Sequence, residues 1–113
     1  MEDFFEKIKE YLKMDSEISY EEFAAFYSGV MEHLNKNYAD LDRDALIKGR
    51  FICSILQANS LERSKRKTPE AKKFKKMMEK SQFWAGAIKH RLLKEGMTVS
   101  EIEEADKALH EAV

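Results

Sequence analysis

The sequence predicts an all-α protein, a compact single-domain bundle of about five helices with an apolar third helix at its centre and a long fourth helix. Helix-favouring Glu, Lys, Leu, Ala and Met are plentiful, and only one Pro and four Gly interrupt the 113 residues. This composition supplies few of the Gly and Pro residues that form the turns of a sheet protein. Apolar residues recur at spacings of three and four, the period of amphipathic helices. Because a chain of this length buries about two-thirds of its unfolded surface, we expect residues 1–113 to form one domain.

The first two helices are predicted from apolar stripes and one capping signal. Ser19, followed three residues later by Glu22, fits a capping box and marks the start of the second helix. The stripe from Tyr20 to Tyr38 is wide, so this helix needs neighbours on more than one side. Between residues 2 and 13, a narrower stripe predicts a short amphipathic helix: Phe4, Phe5, Ile8, Tyr11 and Leu12.

The third helix is predicted to begin at the acids of residues 40–44, which suit a helix N-terminus. It places Gly49 where a neighbouring helix could approach closely, and Cys53 where a small buried thiol is expected. The apolar pattern ends in a basic connector, residues 63–68. The apolar arc is so wide that the helix should be central, with a narrow strip left for solvent: Arg50, Ser54 and Gln57.

The last two helices are predicted from their end signals. Thr68 as N-cap and Pro69 at the first helical position predict the start of the fourth helix. Gly96 is the expected C-cap of that helix. A fifth helix should begin after Thr98 or Ser100, since either hydroxyl can cap its first turn.

Charge divides the chain into three blocks of alternating sign, although the formal net charge is only −1. Residues 1–47 carry 12 acids and 5 bases, residues 48–95 carry 14 bases and 4 acids, and residues 96–113 carry 5 acids and 1 base. A basic centre between acidic flanks indicates a surface that meets something negative, either an external anion or the chain's own flanks.

The basic block is organised on the fourth helix and on the connector before it. At about 100° per residue, basic side chains lie opposite the apolar stripe, with Phe83 among them. Cations neutralise phosphates or carboxylates, and an exposed ring offers a stacking plane. The connector adds a basic cluster beside a helix N-terminus. Together these residues form the predicted partner-binding or nucleic-acid-binding surface: Arg63, Lys65, Arg66, Lys67, Lys72, Lys73, Lys76, Lys80, Phe83, Arg91 and Lys94.

Several functions fit this surface. The leading hypothesis is a non-enzymatic binding or regulatory module that acts by protein–protein interaction, with an acidic protein surface, the chain's own acidic helices or a second copy as partner. The first alternative is sequence-nonspecific nucleic-acid binding by the same face. A small ligand-binding or enzymatic bundle is a third. In the simplest structural alternative, the face packs on the acidic first or last helix and Phe83 is a core residue.

Other features argue for an intracellular protein without a cofactor. No zinc spacing, di-iron pattern, phosphate loop or nucleophile elbow is present, so we predict no metal, no cofactor and no enzyme activity. The single cysteine forms no internal disulfide, and the first residues are acidic rather than a secretory leader. No apolar run is long enough to span a bilayer. We therefore predict a cytoplasmic location with no membrane attachment.

Overall fold

The computed structural model describes all residues from Met1 to Val113 and confirms the all-α bundle. It contains no strand and measures 43 × 26 × 23 Å. The helices are α1 (Glu2–Leu12), α2 (Tyr20–Asn37), α3 (Arg43–Ser64), α4 (Ala71–Lys94) and α5 (Val99–Glu111), with a short 3₁₀ turn at Tyr38–Asp40. None of these helices combines the length and the apolar character that crossing a membrane requires.

Helix α3 lies at the centre, as the width of its apolar arc predicts. It packs antiparallel along α4, because Gly49 near its start lies against Ile88 while Arg63 near its end lies against Phe74. Helices α1 and α5 also contact α3. Cys53 is fully buried, and burial raises the pKa of its thiol to about 12, so it acts as a small apolar side chain.

Two expectations for α3 need adjustment. A methyl group added to Gly49 would lie 3.5 Å from Ile88 Cδ1, an ordinary contact distance, so close approach does not require glycine there. The predicted solvent strip is only half-exposed. Arg50 in this strip lies beside Asp106 of α5, with 3.5 Å between Nη1 and Oδ1. Helix α5 therefore shields part of a face that the sequence assigns to water.

Three helices begin at side-chain caps that the sequence predicts or permits. Ser19 Oγ accepts a hydrogen bond from the Glu22 amide at 3.1 Å, which starts α2. Thr98, rather than Ser100, caps α5 and forms a full capping box with Glu101. Asp42 caps α3 by accepting from the Ala45 amide at 2.8 Å. These bonds satisfy amide groups that have no partner inside the helix.

The two ends of α4 differ in how well the sequence predicts them. Gly96 has a φ of +105° and follows the last helical turn, as expected for a C-terminal glycine. At the other end the prediction is wrong, because α4 begins at Ala71 and not at Pro69. Pro69 and Glu70 form a turn, and no side chain caps the helix. Thr68 contributes only its carbonyl, which accepts from the Ala71 amide at 3.2 Å.

Candidate functional site

Arg63 belongs to the predicted binding surface but points into the bundle. Its side chain is only 6% exposed, and Nη2 donates to the Ile18 carbonyl at 3.0 Å. The guanidinium carbon lies 4.8 Å from the ring centroid of Phe23 and 5.4 Å from that of Phe74. Because its guanidinium packs between two rings and donates to a carbonyl, Arg63 supports the fold, and it does not belong to the predicted binding surface.

Arg66 is also engaged within the chain. Its Nη1 and Nη2 donate to the two carboxylate oxygens of Glu17 at 2.7 and 2.9 Å, and Nη2 lies 3.3 Å from Glu62 Oε1. These hydrogen bonds from Arg66 lower the pKa of the Glu17 carboxyl group. The connector is therefore tied to the loop before α2, which leaves Lys65 and Lys67 as its exposed cations without an ion pair.

Arg91 joins α4 to the segment between α2 and α3. Its Nη2 donates to the Leu41 carbonyl and its Nε to a carboxylate oxygen of Glu95, each at 2.8 Å. It also donates to the Tyr38 carbonyl, and its guanidinium carbon lies 5.0 Å from the Tyr38 ring centroid. Arg91 therefore holds the fold together rather than facing a partner.

All five arginines of the chain are used in this way. Arg43 donates to the Glu95 carbonyl at 3.1 Å, and Arg50 pairs with Asp106, in addition to the three arginines described above. Each guanidinium group, which could otherwise recognise a carboxylate or phosphate in a fixed geometry, therefore already contacts at least one group of the chain. The cations left on the surface are lysines.

The lysines along α4 form the part of the predicted surface that remains open. Lys89 of α4 is half-buried, the other six lysines of the helix are exposed, and none of the seven forms an ion pair with a carboxylate of the chain. The sequence interpretation missed one of them, Lys75, although its position on the helical wheel places it within the same exposed arc. The six exposed lysines are Lys72, Lys73, Lys75, Lys76, Lys80 and Lys94.

The acidic flanks of the chain do not cover these lysines. Glu2 of α1 pairs with Lys48 of α3, and Asp106 of α5 pairs with Arg50 of α3. Lys48 also pairs with Asp44, and its hydrogen bonds to Glu2 and Asp44 raise the pKa of its ammonium group. The complementary charge of the flanks is thus directed at the central helix and at the connector, while α4 keeps its positive face.

Phe83 lies on the same face and is not a core residue. It is 65% exposed, and its ring meets only the edge of the Trp84 ring, with centroids 5.6 Å apart. One turn further, a methyl group added to Gly86 would meet nothing within 4 Å. Glycine inside a helix costs about 1 kcal/mol relative to alanine, and nothing in the chain requires it here.

These residues follow one another along a single line on the helix. The N-terminal half of the line carries lysines, with the exposed Glu79 beside Lys76 and Lys80, and from Phe83 onward the line is apolar apart from His90, with Leu93 38% exposed near its end. Spacings of three and four keep all of them on one side, opposite the buried side chains of α4. We name this line the α4 outer face: Lys72, Lys76, Lys80, Phe83, Gly86, His90 and Leu93.

Two small cavities lie on either side of the loop at residues 13–19. One of about 90 Å³ is lined mainly by apolar side chains of α1, α2 and α3, and the other, of about 220 Å³, is polar and borders the connector. Of the five charged residues that line the polar cavity, Arg63, Arg66 and Glu17 are bonded to one another or to backbone. No group of three or more His, Cys, Asp or Glu side chains is placed to hold a metal ion.

Comparisons of the chain with models of protein families, with curated proteins and with solved structures found no match.

Proposed function

We propose that this protein is a non-enzymatic binding or regulatory module that docks the α4 outer face onto an acidic protein surface. One observation carries the proposal. The exposed lysines of α4 form no ion pair or hydrogen bond within the chain, and only Lys73 lies over a ring, that of Tyr20, with 5.5 Å between Nζ and the ring centroid. By contrast, every arginine, and Lys48 on α3, is bonded to groups of the chain. An open row of like charges favours a partner of opposite charge.

The apolar half of the face supports a protein as partner. Phe83 and Leu93 are exposed large apolar side chains, and Gly86 between them leaves room for close approach. A protein interface commonly has an apolar, often aromatic, centre and a charged rim. The α4 outer face has both components, and helical spacing makes it suited to another helix.

Nucleic acid is a second candidate, supported by a different feature of the same face. Its cations are lysines, which contact phosphates as point charges and do not read base sequence in a bidentate way. The bare ring of Phe83 stands one turn from Lys80 and is accessible for stacking. A single strand would use the face in this way without sequence preference.

We also propose that the protein is located in the cytoplasm. Cys53, the single cysteine, is a free thiol inside the core, which is compatible with a reducing compartment.

Two anionic probes test the proposal, poly-L-glutamate for carboxylates and a fluorescent single-stranded oligonucleotide for phosphates. Binding of each is measured by titration across a salt series. The test variant is Lys72→Glu/Lys76→Glu/Lys80→Glu, which reverses the lysines of the α4 outer face. The matched control is Lys7→Glu/Lys13→Glu/Lys36→Glu, which changes the net charge equally on exposed sites of α1, the following loop and α2.

We expect the wild type and the control to bind poly-L-glutamate with a salt-dependent affinity that the test variant loses. Equal binding by the test variant and the control would contradict the proposal. If the oligonucleotide binds more tightly than poly-L-glutamate at equal salt, and Phe83→Ala weakens only the oligonucleotide, nucleic acid replaces protein as the partner.

A further inference from the structure

A second α4 does not suit the α4 outer face. In a parallel pair the lysines of one copy would meet the same lysines of the other. In an antiparallel pair centred on Phe83, Lys72 of each copy would approach Lys94 of the other. Like charges repel in either case. The partner helix must therefore be acidic where α4 is basic and small or apolar where Phe83 lies.

Helix α5 has these properties on its exposed side. Glu104 and Glu111 lie seven residues apart on the side opposite the buried Ile102, and neither forms an ion pair. Four residues before Glu104 the same side carries Ser100, a small residue beside Val99, whose side chain is 45% exposed. The exposed side of α5 thus carries Glu104 and Glu111 toward its C-terminus, with Lys107 between them, and Ser100 beside Val99 toward its N-terminus.

The spacing of charges on the two helices matches in the antiparallel direction. Glu104 and Glu111 are about 10 Å apart along α5, and Lys80 and Lys72 are about 12 Å apart along α4, at about 1.5 Å per residue. With Glu111 opposite Lys72 and Glu104 opposite Lys80, Ser100 comes opposite Phe83. A parallel arrangement that paired Glu111 with Lys80 would leave Phe83 beyond the end of α5.

Both surfaces belong to the same chain, and the molecule as a whole repels a second copy little. The formal net charge is −1, so the attraction between the two faces is not opposed by a large overall charge. In a two-fold pair each copy would supply one α4 and one α5, so both faces of both copies would be used.

We propose that the chain forms a two-fold pair in which the α4 outer face of each copy lies antiparallel on the exposed side of α5 of the other. The inference rests on the proposed function and names its partner as a second copy. The contact is salt-sensitive at the lysines and apolar at Phe83.

A charge exchange tests the pairing by sedimentation equilibrium. The variants are Lys72→Glu/Lys80→Glu and Glu104→Lys/Glu111→Lys, measured singly and as an equimolar mixture. Lys13→Glu/Lys36→Glu is the charge-matched control for the first. All altered side chains are exposed, and circular dichroism checks that each variant keeps its helices.

We expect the wild type and the control to form dimers that dissociate as salt is raised. Each variant alone should be monomeric at a concentration where the wild type is paired, and the mixture should form dimers again, because both contacts then join opposite charges. A mixture that stays monomeric, or variants that pair like the wild type, would overturn the inference.

The outcome separates this inference from the proposed function. A wild type that stays monomeric at low salt and high concentration overturns self-association. The proposed function is tested separately, by the loss of poly-L-glutamate binding in the lysine variant.

One further change tests the register. Lys107 falls beside Lys76 in the proposed arrangement, so Lys107→Glu should tighten the dimer, and a weaker dimer would contradict this register.

Discussion

Arg66 and Glu17 are 49 positions apart in the chain and are joined by two parallel hydrogen bonds of 2.7 and 2.9 Å. This bidentate pair fastens the connector between α3 and α4 to the loop between α1 and α2. A segment that the sequence presents as an exposed basic cluster is therefore partly neutralised. The open positive surface begins only beyond it, along α4.

Glu17→Gln should make the protein less stable at neutral pH and should reduce its sensitivity to acid. The pKa of Glu17 is lowered in the folded state, chiefly by hydrogen bonds from Arg66. The Glu17 charge therefore stabilises the fold fully at pH values above the pKa of a carboxyl group in the unfolded chain. This stabilisation is lost as the pH falls through the folded-state pKa. Because the pair is about half-exposed, we expect less than about 1 kcal/mol.

Chemical denaturation of wild type and Glu17→Gln at several pH values measures this effect. The difference in unfolding free energy should shrink as the solution is acidified. Asp15→Asn is the control, since this nearby exposed carboxylate forms no ion pair. A difference that stays constant with pH would show that the Glu17 charge is not responsible.

Arg63→Ala should destabilise the fold strongly, by about 3 kcal/mol, since it leaves a cavity between two rings and an unpaired, part-buried carbonyl at Ile18. Lys65→Ala removes a charge two residues away on the surface and should change stability by less than about 0.5 kcal/mol. Urea denaturation compares the two. Similar small effects of both changes would mean that Arg63 does not support the core.

Gly86→Ala and Gly96→Ala should shift stability in opposite directions. Gly86 has open space around it inside α4, so alanine should stabilise the helix by about 0.5–1 kcal/mol. Gly96 has a φ of +105°, where a side chain is strained, so alanine should destabilise by about 1–2 kcal/mol. Thermal unfolding of both variants measures the signs, and a lower melting temperature for Gly86→Ala would contradict this assignment.

Ser81→Ala should stabilise the protein by about 1 kcal/mol. Ser81 is fully buried, and its hydroxyl has no hydrogen-bond partner, so the side chain carries a desolvation cost that alanine lacks. Ser28→Ala, at an exposed position of α2, is the control because it gains only helix propensity. Denaturation should show a larger gain at Ser81, and an equal or smaller gain would indicate that the Ser81 hydroxyl is satisfied in solution.

The sequence predicted which candidate residues are exposed where position on a helix decides exposure. Helical periodicity places Lys76, Lys80 and Phe83 opposite the buried side of α4, and the structure leaves them exposed. Periodicity failed for Arg63 and Arg91, because their partners are carbonyls 45 and 50 positions away. Long flexible side chains near a helix boundary can turn inward, and no local pattern shows whether an acceptor lies within reach.

The sequence by itself determined the helices, most of their ends and the sign of charge along the chain. These properties follow from apolar spacing and from local hydrogen bonds, as at Ser19, Thr98 and Gly96. Tertiary structure decided which cations stay free, since that depends on which distant acids and carbonyls the packing brings together. Packing brings Arg50 to Asp106 of α5 and the other four arginines to loop carbonyls or to the Glu17 carboxylate, whereas it brings no acid to the α4 lysines.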